Sequence, residues 1–251
     1  MASVVRAGSR IEYEVTGDGP PLALLHGFFG DRSTWRAAGY AGALADQFRL
    51  ILIDLIGHGG SDAPSDPARY RMDEHARDVA AVLDSLGVDR AAVWGASMGG
   101  RIGFHLMARS PGRLAALIAG GAHACAVETD PAELERETAL LREQGTAPFA
   151  DAMEPDWMRR VALRADGHAL AAQAISDAAE QGMPPGLDSA PVPVLLLAGE
   201  QDPRLGLIQA TGGRLSEAEV VVLPGCGHFD TFARADLTVP LAREFLGRPR
   251  P

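Results

Sequence analysis

The 251-residue chain sets 33 acidic against 23 basic side chains, and at a formal net charge of −10 it has no basic face for nucleic-acid phosphates. Every basic residue is arginine, so Schiff-base and pyridoxal-phosphate chemistry lack the amine they require. With 47% hydrophobic and 22% charged residues, the composition is that of one globular unit able to bury a sizeable core.

In chain order, Ile11 to Val15 and Leu22 to Leu25 predict opening strands, Ser33 to Asp46 a helix, and Leu50 to Asp54 a buried parallel strand. Met72 to Leu86 has the spacing of an amphipathic helix. Ala91 to Trp94 predicts a central strand, Arg101 to Met107 lies on a helix, and Leu114 to Ala119 is another buried strand. From Cys125 to Ala190 the pattern is wholly helical. Asp130-Pro131-Ala132-Glu133 has the form of a capping box, with Gly145 placed to end that helix. Pro155 to Arg164 and His168 to Glu180 predict two more helices, closed by Gly167 and Gly182, and Met183-Pro184-Pro185-Gly186 returns the chain to the sheet. Val194 to Ala198 and Val220 to Leu223 are the last apolar runs. Strands separated by helical segments imply a mostly parallel sheet with helices on both faces and ligands beyond the carboxyl ends of the strands. The expected organisation is a core over residues 1–124, a small helical cap inserted at 125–190, and the rest of the core at 191–251.

The start Met-Ala-Ser-Val-Val-Arg has no basic region followed by a long apolar stretch, and no apolar run approaches 18 residues, so a cytoplasmic protein without membrane contact is expected. Cys125 and Cys226 make no disulfide framework, and no His/Cys spacing suggests a metal; the expectation is a cofactor-free protein with a small-molecule substrate. Nothing in the chain sets its oligomeric state.

Gly95-Ala96-Ser97-Met98-Gly99 follows the central strand and opens a helix, the setting of a nucleophile elbow, in which two glycines let strand and helix close on a strained serine. His26-Gly27-Phe28-Phe29-Gly30 ends an early strand, Asp202 follows the run from Val194, and His228 follows the run from Val220, in the order Ser, Asp, His. With Asp54-Leu55-Ile56-Gly57-His58-Gly59-Gly60-Ser61, these segments resemble the α/β-hydrolase superfamily over nearly the whole chain; residues 124 to 190 are the weak stretch.

The resemblance implies the α/β-hydrolase fold and a triad in which His228 takes the Ser97 proton while Asp202 fixes the imidazole tautomer. It implies an oxyanion hole from the backbone N–H groups of Met98 and Phe28. Asp230 and Glu200 are rival acids, and His26 could shape the oxyanion loop without moving protons. Serine at position 97 argues against the branches with a carboxylate nucleophile, the haloalkane dehalogenases and epoxide hydrolases. Ile56 and the Asp202-Pro203-Arg204 turn depart from common patterns of the family and leave the subfamily open. The leading expectation is an esterase acting on a small ester, lactone or thioester. The alternative is a lyase or carbon–carbon hydrolase resembling the menaquinone-pathway synthase, since Gly99-Gly100-Arg101 is similar to that enzyme, in which the arginine holds an anionic substrate; the default for Arg101 itself is an ion pair with a surface acid. A ligand receptor is a third class. Candidate substrate-binding residues are Arg101, Phe29, Trp157 and Met158; the cap side chains Phe149, Met153, Trp157 and Met158 either line an apolar pocket or simply hold the cap in place.

Overall fold

A computed structural model describes the chain except Val127, Glu128, Ala152, Gln181, Met183 and residues 249–251, so the Met183 turn lies outside the described residues. Eight strands form one sheet: β1 (Ala2–Arg6), β2 (Ser9–Thr16), β3 (Pro21–Leu25), β4 (Arg49–Ile53), β5 (Ala91–Ala96), β6 (Leu114–Gly120), β7 (Val194–Gly199) and β8 (Ala218–Leu223). Their spatial order is β1-β2-β4-β3-β5-β6-β7-β8; β1 and β2 run antiparallel and all pairs from β4 onward are parallel. This is the mostly parallel sheet that the sequence pattern predicts. Apolar runs become its centre because β5 and β7 are buried along their whole length, where alternation with polar residues would strand charges in the core.

The chain passes from β3 outward to β4, then returns to the other side of β3 to form β5. That reversal opens a crevice beyond the carboxyl ends of β3 and β5, the place where open α/β sheets hold ligands. Leu25 pairs with Gly95 in register, so the loop that begins at His26 and the turn at Ser97 leave the sheet side by side.

Alternate residues of each strand feed two cores. On one face Ala23, Leu25, Ile51, Val93 and Leu196 pack with the helices Met72–Ser85 and Met98–Arg109. On the other, Trp94 meets Tyr40 and Trp35 edge-on at 5.0 and 6.0 Å between ring centroids, and the Tyr40 hydroxyl lies 2.7 Å from Thr238 Oγ1. Such edge-on pairs contribute roughly 0.5–1.5 kcal/mol each beyond their burial. They anchor the strand that carries Ser97.

Four local expectations are corrected. The N-terminus adds the exposed edge strand β1, absent from the sequence reading. The helix expected from Ser33 to Asp46 is two short helices, Thr34–Ala37 and Tyr40–Leu44, broken at Gly39, whose φ of +89° no continuous helix adopts. Asp130 does cap the helix Pro131–Gln144 through Ala132 N–H, but the other half of a capping box, a Glu133 bond back to Asp130, is not among the described hydrogen bonds. Gly167 does not close a helix but begins Gly167–Ala178 under the Asp166 cap, and an added Cβ there would overlap the Leu141 carbonyl oxygen. Its small size lets Pro131–Gln144 and Gly167–Ala178 pack closely around Leu141, Leu170 and Ala171. No helix among the described residues is long and apolar enough to cross a membrane.

Candidate active site

Ser97 sits between β5 and the helix Met98–Arg109 at φ +48° and ψ −108°, a strained conformation for a residue with a side chain. Its N–H donates to Gly120 O at 2.7 Å, which fastens the turn to β6. A Cβ on Gly99 would overlap the Leu25 carbonyl and lie 2.8 Å from His26 O; only glycine lets the elbow close onto β3. The helix also directs its positive N-terminal end toward Ser97.

Asp202 and His228 reach the same edge from the turns after β7 and β8. His228 Nε2 lies 3.1 Å from Ser97 Oγ, and His228 Nδ1 lies 2.8 Å from Asp202 Oδ2. Burial works against ionisation of Asp202, but hydrogen bonds from His228 and from Arg204 N–H hold its carboxyl below the usual range. The rival acids are engaged elsewhere: Glu200 accepts from Gly225 N–H and Asp230 from Gly227 N–H. The imidazole is braced by edge contacts to Phe229 and Phe232, at 5.4 and 5.8 Å, and the His228 carbonyl accepts from the Thr231 hydroxyl.

Phe28 and Met98 line the cavity together with Ser97. Met98 is the first residue of its helix, so its N–H lies outside the intrahelical ladder, and the Phe28 N–H donates to no acceptor among the described residues. The Phe28 carbonyl faces His58 Nε2 at 2.8 Å. His26 donates from Nδ1 to Gly27 O at 2.8 Å and accepts from Leu55 N–H at Nε2, which leaves neither ring nitrogen for proton transfer. Burial, seconded by the nearby His58, pushes the His26 imidazole down to about 3, so it stays neutral.

The cavity has a volume of about 810 Å³, within the usual range for small-molecule sites. Of the sequence-predicted substrate-binding residues, Arg101, Phe29 and Met158 line it. Trp157 does not; it packs half-buried against the second core, as does Phe149, whose ring lies 5.6 Å from Phe29. Arg101 is already paired, its Nη1 3.5 Å from Asp177 Oδ2. Burial pushes the Asp177 carboxyl up to about 6, against the pull of Arg101 and a hydrogen bond from Gln173.

Sequence reasoning missed Arg204, which lines the cavity with Nη1 3.0 Å from His228 Nε2. It also missed the polar far wall, where His105 and Glu180 join Asp177. Arg204 follows Asp202 by two positions, a signal present in the chain; Asp177 and Glu180 come from the distant helical segment, and no local spacing ties them to Ser97. Among the described residues no three His, Cys, Asp or Glu side chains are grouped as a metal site would require.

The family model for the alpha/beta hydrolase fold matches residues 20–151. An esterase from Thermogutta terrifontis, solved with malate bound, superposes with a TM-score of 0.85 at 27% identity over 98% of this chain and 96% of its own. The enol-lactonase from Burkholderia xenovorans LB400 superposes at 0.87 with 25% identity, over 98% of this chain and 100% of its own. A Bacillus subtilis (strain 168) protein named as a candidate 2-succinyl-6-hydroxy-2,4-cyclohexadiene-1-carboxylate synthase is 26% identical over 94% of this chain and 95% of its own. With the family model spanning more than half of its length, this chain belongs to the alpha/beta hydrolase fold family.

Proposed function

We propose that this protein hydrolyses a carboxylic ester, lactone or thioester of a small molecule through an acyl-enzyme on Ser97. The observation that carries the reading is the unbroken relay from Asp202 through His228 to a serine held in a strained elbow. A serine hydroxyl is a weak nucleophile near neutral pH, so His228 Nε2 takes its proton as Oγ attacks the carbonyl carbon, and Asp202 stabilises the imidazolium. On this reading the oxyanion takes hydrogen bonds from the N–H groups of Phe28 and Met98, both in the cavity wall beside Ser97. Collapse expels the alkoxide or thiolate with the His228 proton; water, deprotonated by the same nitrogen, then releases the acid and restores Ser97. The groups named require no cofactor, and a cytoplasmic setting fits the chemistry.

Short-chain p-nitrophenyl esters test this. Turnover in the wild-type protein and its loss, by up to about 10⁶ if the triad acts as a unit, in Ser97→Ala is the expected result. Retention of most turnover by Ser97→Ala in a preparation free of other esterases would overturn it. A second reading, elimination from an anionic substrate with the same residues acting as a base, draws on the Bacillus subtilis relative and on the arginines of the cavity wall. It predicts no burst of alcohol release and no acyl adduct, whereas the leading reading predicts that an adduct forms.

A further inference from the structure

We propose that Arg204 selects substrates carrying a carboxylate a few carbons from the scissile carbonyl, and that binding this carboxylate moves its guanidinium off the nitrogen that Ser97 uses. The inference rests on the reading of Ser97 and His228 given above.

With Nδ1–H engaged by Asp202, a neutral His228 offers one lone pair, at Nε2. Two donors converge on it: the Ser97 hydroxyl at 3.1 Å and Arg204 Nη1 at 3.0 Å. A guanidinium is always a donor and never an acceptor, so while it stands there it competes with the proton transfer that activates the serine. Among the described residues two arginines line the cavity, Arg101 and Arg204. Arg101 has Asp177, with Glu180 and Glu137 close by. Arg204 has no carboxylate on its guanidinium among the described ion pairs, although acids outnumber arginines in this chain. Of these two cavity arginines it is the one without a carboxylate partner among the described ion pairs.

The surroundings allow the guanidinium to move while its root stays fixed. The Arg204 backbone N–H donates to Asp202 Oδ1 at 2.9 Å, and Pro203 stiffens the turn, but the side chain is exposed at the cavity mouth beside Phe229. A carboxylate can take two parallel N–H bonds from a guanidinium, charge-assisted and stronger than one bond to a neutral imidazole. An anionic substrate therefore holds Arg204 and frees Nε2 in the same event, whereas a neutral ester leaves the competitor in place. Guanidinium and hydroxyl both lie about 3 Å from one nitrogen, which places the carboxylate within a few carbons of the carbonyl under attack.

The test compares p-nitrophenyl valerate with mono-p-nitrophenyl glutarate, equal in length and different in the terminal carboxylate, with uncatalysed release subtracted. The wild-type protein should favour the glutarate ester. In Arg204→Ala the ratio of kcat/KM for glutarate to valerate should fall at least fivefold, with kcat for valerate rising; Arg204→Lys should recover part of the ratio and Arg204→Gln none. Equal losses on both esters, or a smaller change in the ratio, would overturn the proposal and reduce Arg204 to a shaper of the Asp202 turn. Calorimetric titration of free glutarate into Ser97→Ala, with and without Arg204→Ala, decides the same point without turnover: binding at least fivefold weaker in the double variant supports it, and equal binding overturns it. If the wild-type protein hydrolyses neither ester, the proposed function fails while the titration still judges Arg204.

Discussion

His75 ties stability to pH through a buried imidazole that the folded protein cannot readily protonate. It is fully buried on the helix Met72–Ser85; Nε2–H donates to Gln173 Oε1 at 2.7 Å, and Nδ1 has no partner among the described residues. Burial, with the nearby His58, Arg69 and Arg6 adding to it, pushes the ring down to about 3 despite the Gln173 bond. In the unfolded chain an ordinary histidine takes up a proton near 6.5. Between these values the unfolded state binds more protons than the folded one, so stability falls as pH falls from about 6.5 toward 3 and is fully retained above 6.5. At pH 5 the unfolded side has gained about 1.5 units of protonation free energy, or about 2 kcal/mol from this one residue, a large share of the 5–15 kcal/mol typical of a domain. Asp177 works the other way, since the folded protein takes up its proton as pH falls through about 6. His75→Gln keeps a donor for Gln173 and removes the titration, while all other groups cancel in the comparison. Urea unfolding of both proteins at pH 7 and pH 5 should show the wild-type protein losing about 2 kcal/mol more than the variant over that interval. Equal losses would refute the assignment of a proton-excluding site to His75.

Gly99→Ala should cost roughly 1–3 kcal/mol, because its neighbours at Leu25 and His26 are backbone and cannot swing aside, and should lower turnover by about 10² as the elbow shifts; Gly112→Ala, which opens onto empty space, is the control. Urea melts and ester assays on the two variants check it. Asp202→Asn should lower kcat by about 10⁴, less than Ser97→Ala, by leaving His228 without the acceptor that fixes its tautomer, and steady-state kinetics read the difference directly. Gly167→Ala should destabilise by roughly 1–3 kcal/mol through its overlap with Leu141 O, with KM changing more than kcat because the helices beside it carry the cavity wall.

The central parallel strands were legible because each leaves a local mark: an apolar run buried on both faces, then glycine or a turn residue where the chain leaves the sheet; the edge strand β8, only partly buried, is marked by its apolar run and the Pro224-Gly225 turn alone. Leu22–Leu25 with His26-Gly27, Val93–Trp94 with Gly95 and Gly99, and Leu195–Leu197 with Gly199 all have that form. The edge strand β1 was not legible, since Ala2–Arg6 is exposed on most residues and is held by pairing to β2, not by burial. From sequence alone Trp157 fits a pocket and a core seam equally well; in the fold it packs half-buried against the second core. The place of Arg101 after the paired glycines points to an anionic substrate, but Asp177, brought over by the helix Gly167–Ala178, pairs with it. The cavity arginine without a carboxylate among the described ion pairs is Arg204, and only the tertiary arrangement around His228 separates the two.

Covalent mapping with a fluorophosphonate tests the central claim most directly, because only a serine activated by a neighbouring base reacts quickly and the adduct persists. Peptide mass analysis should find one adduct per chain, on Ser97, rising in step with the loss of ester turnover and absent from Ser97→Ala. Complete inactivation with the adduct on another residue, or turnover that survives stoichiometric modification of Ser97, would contradict the account.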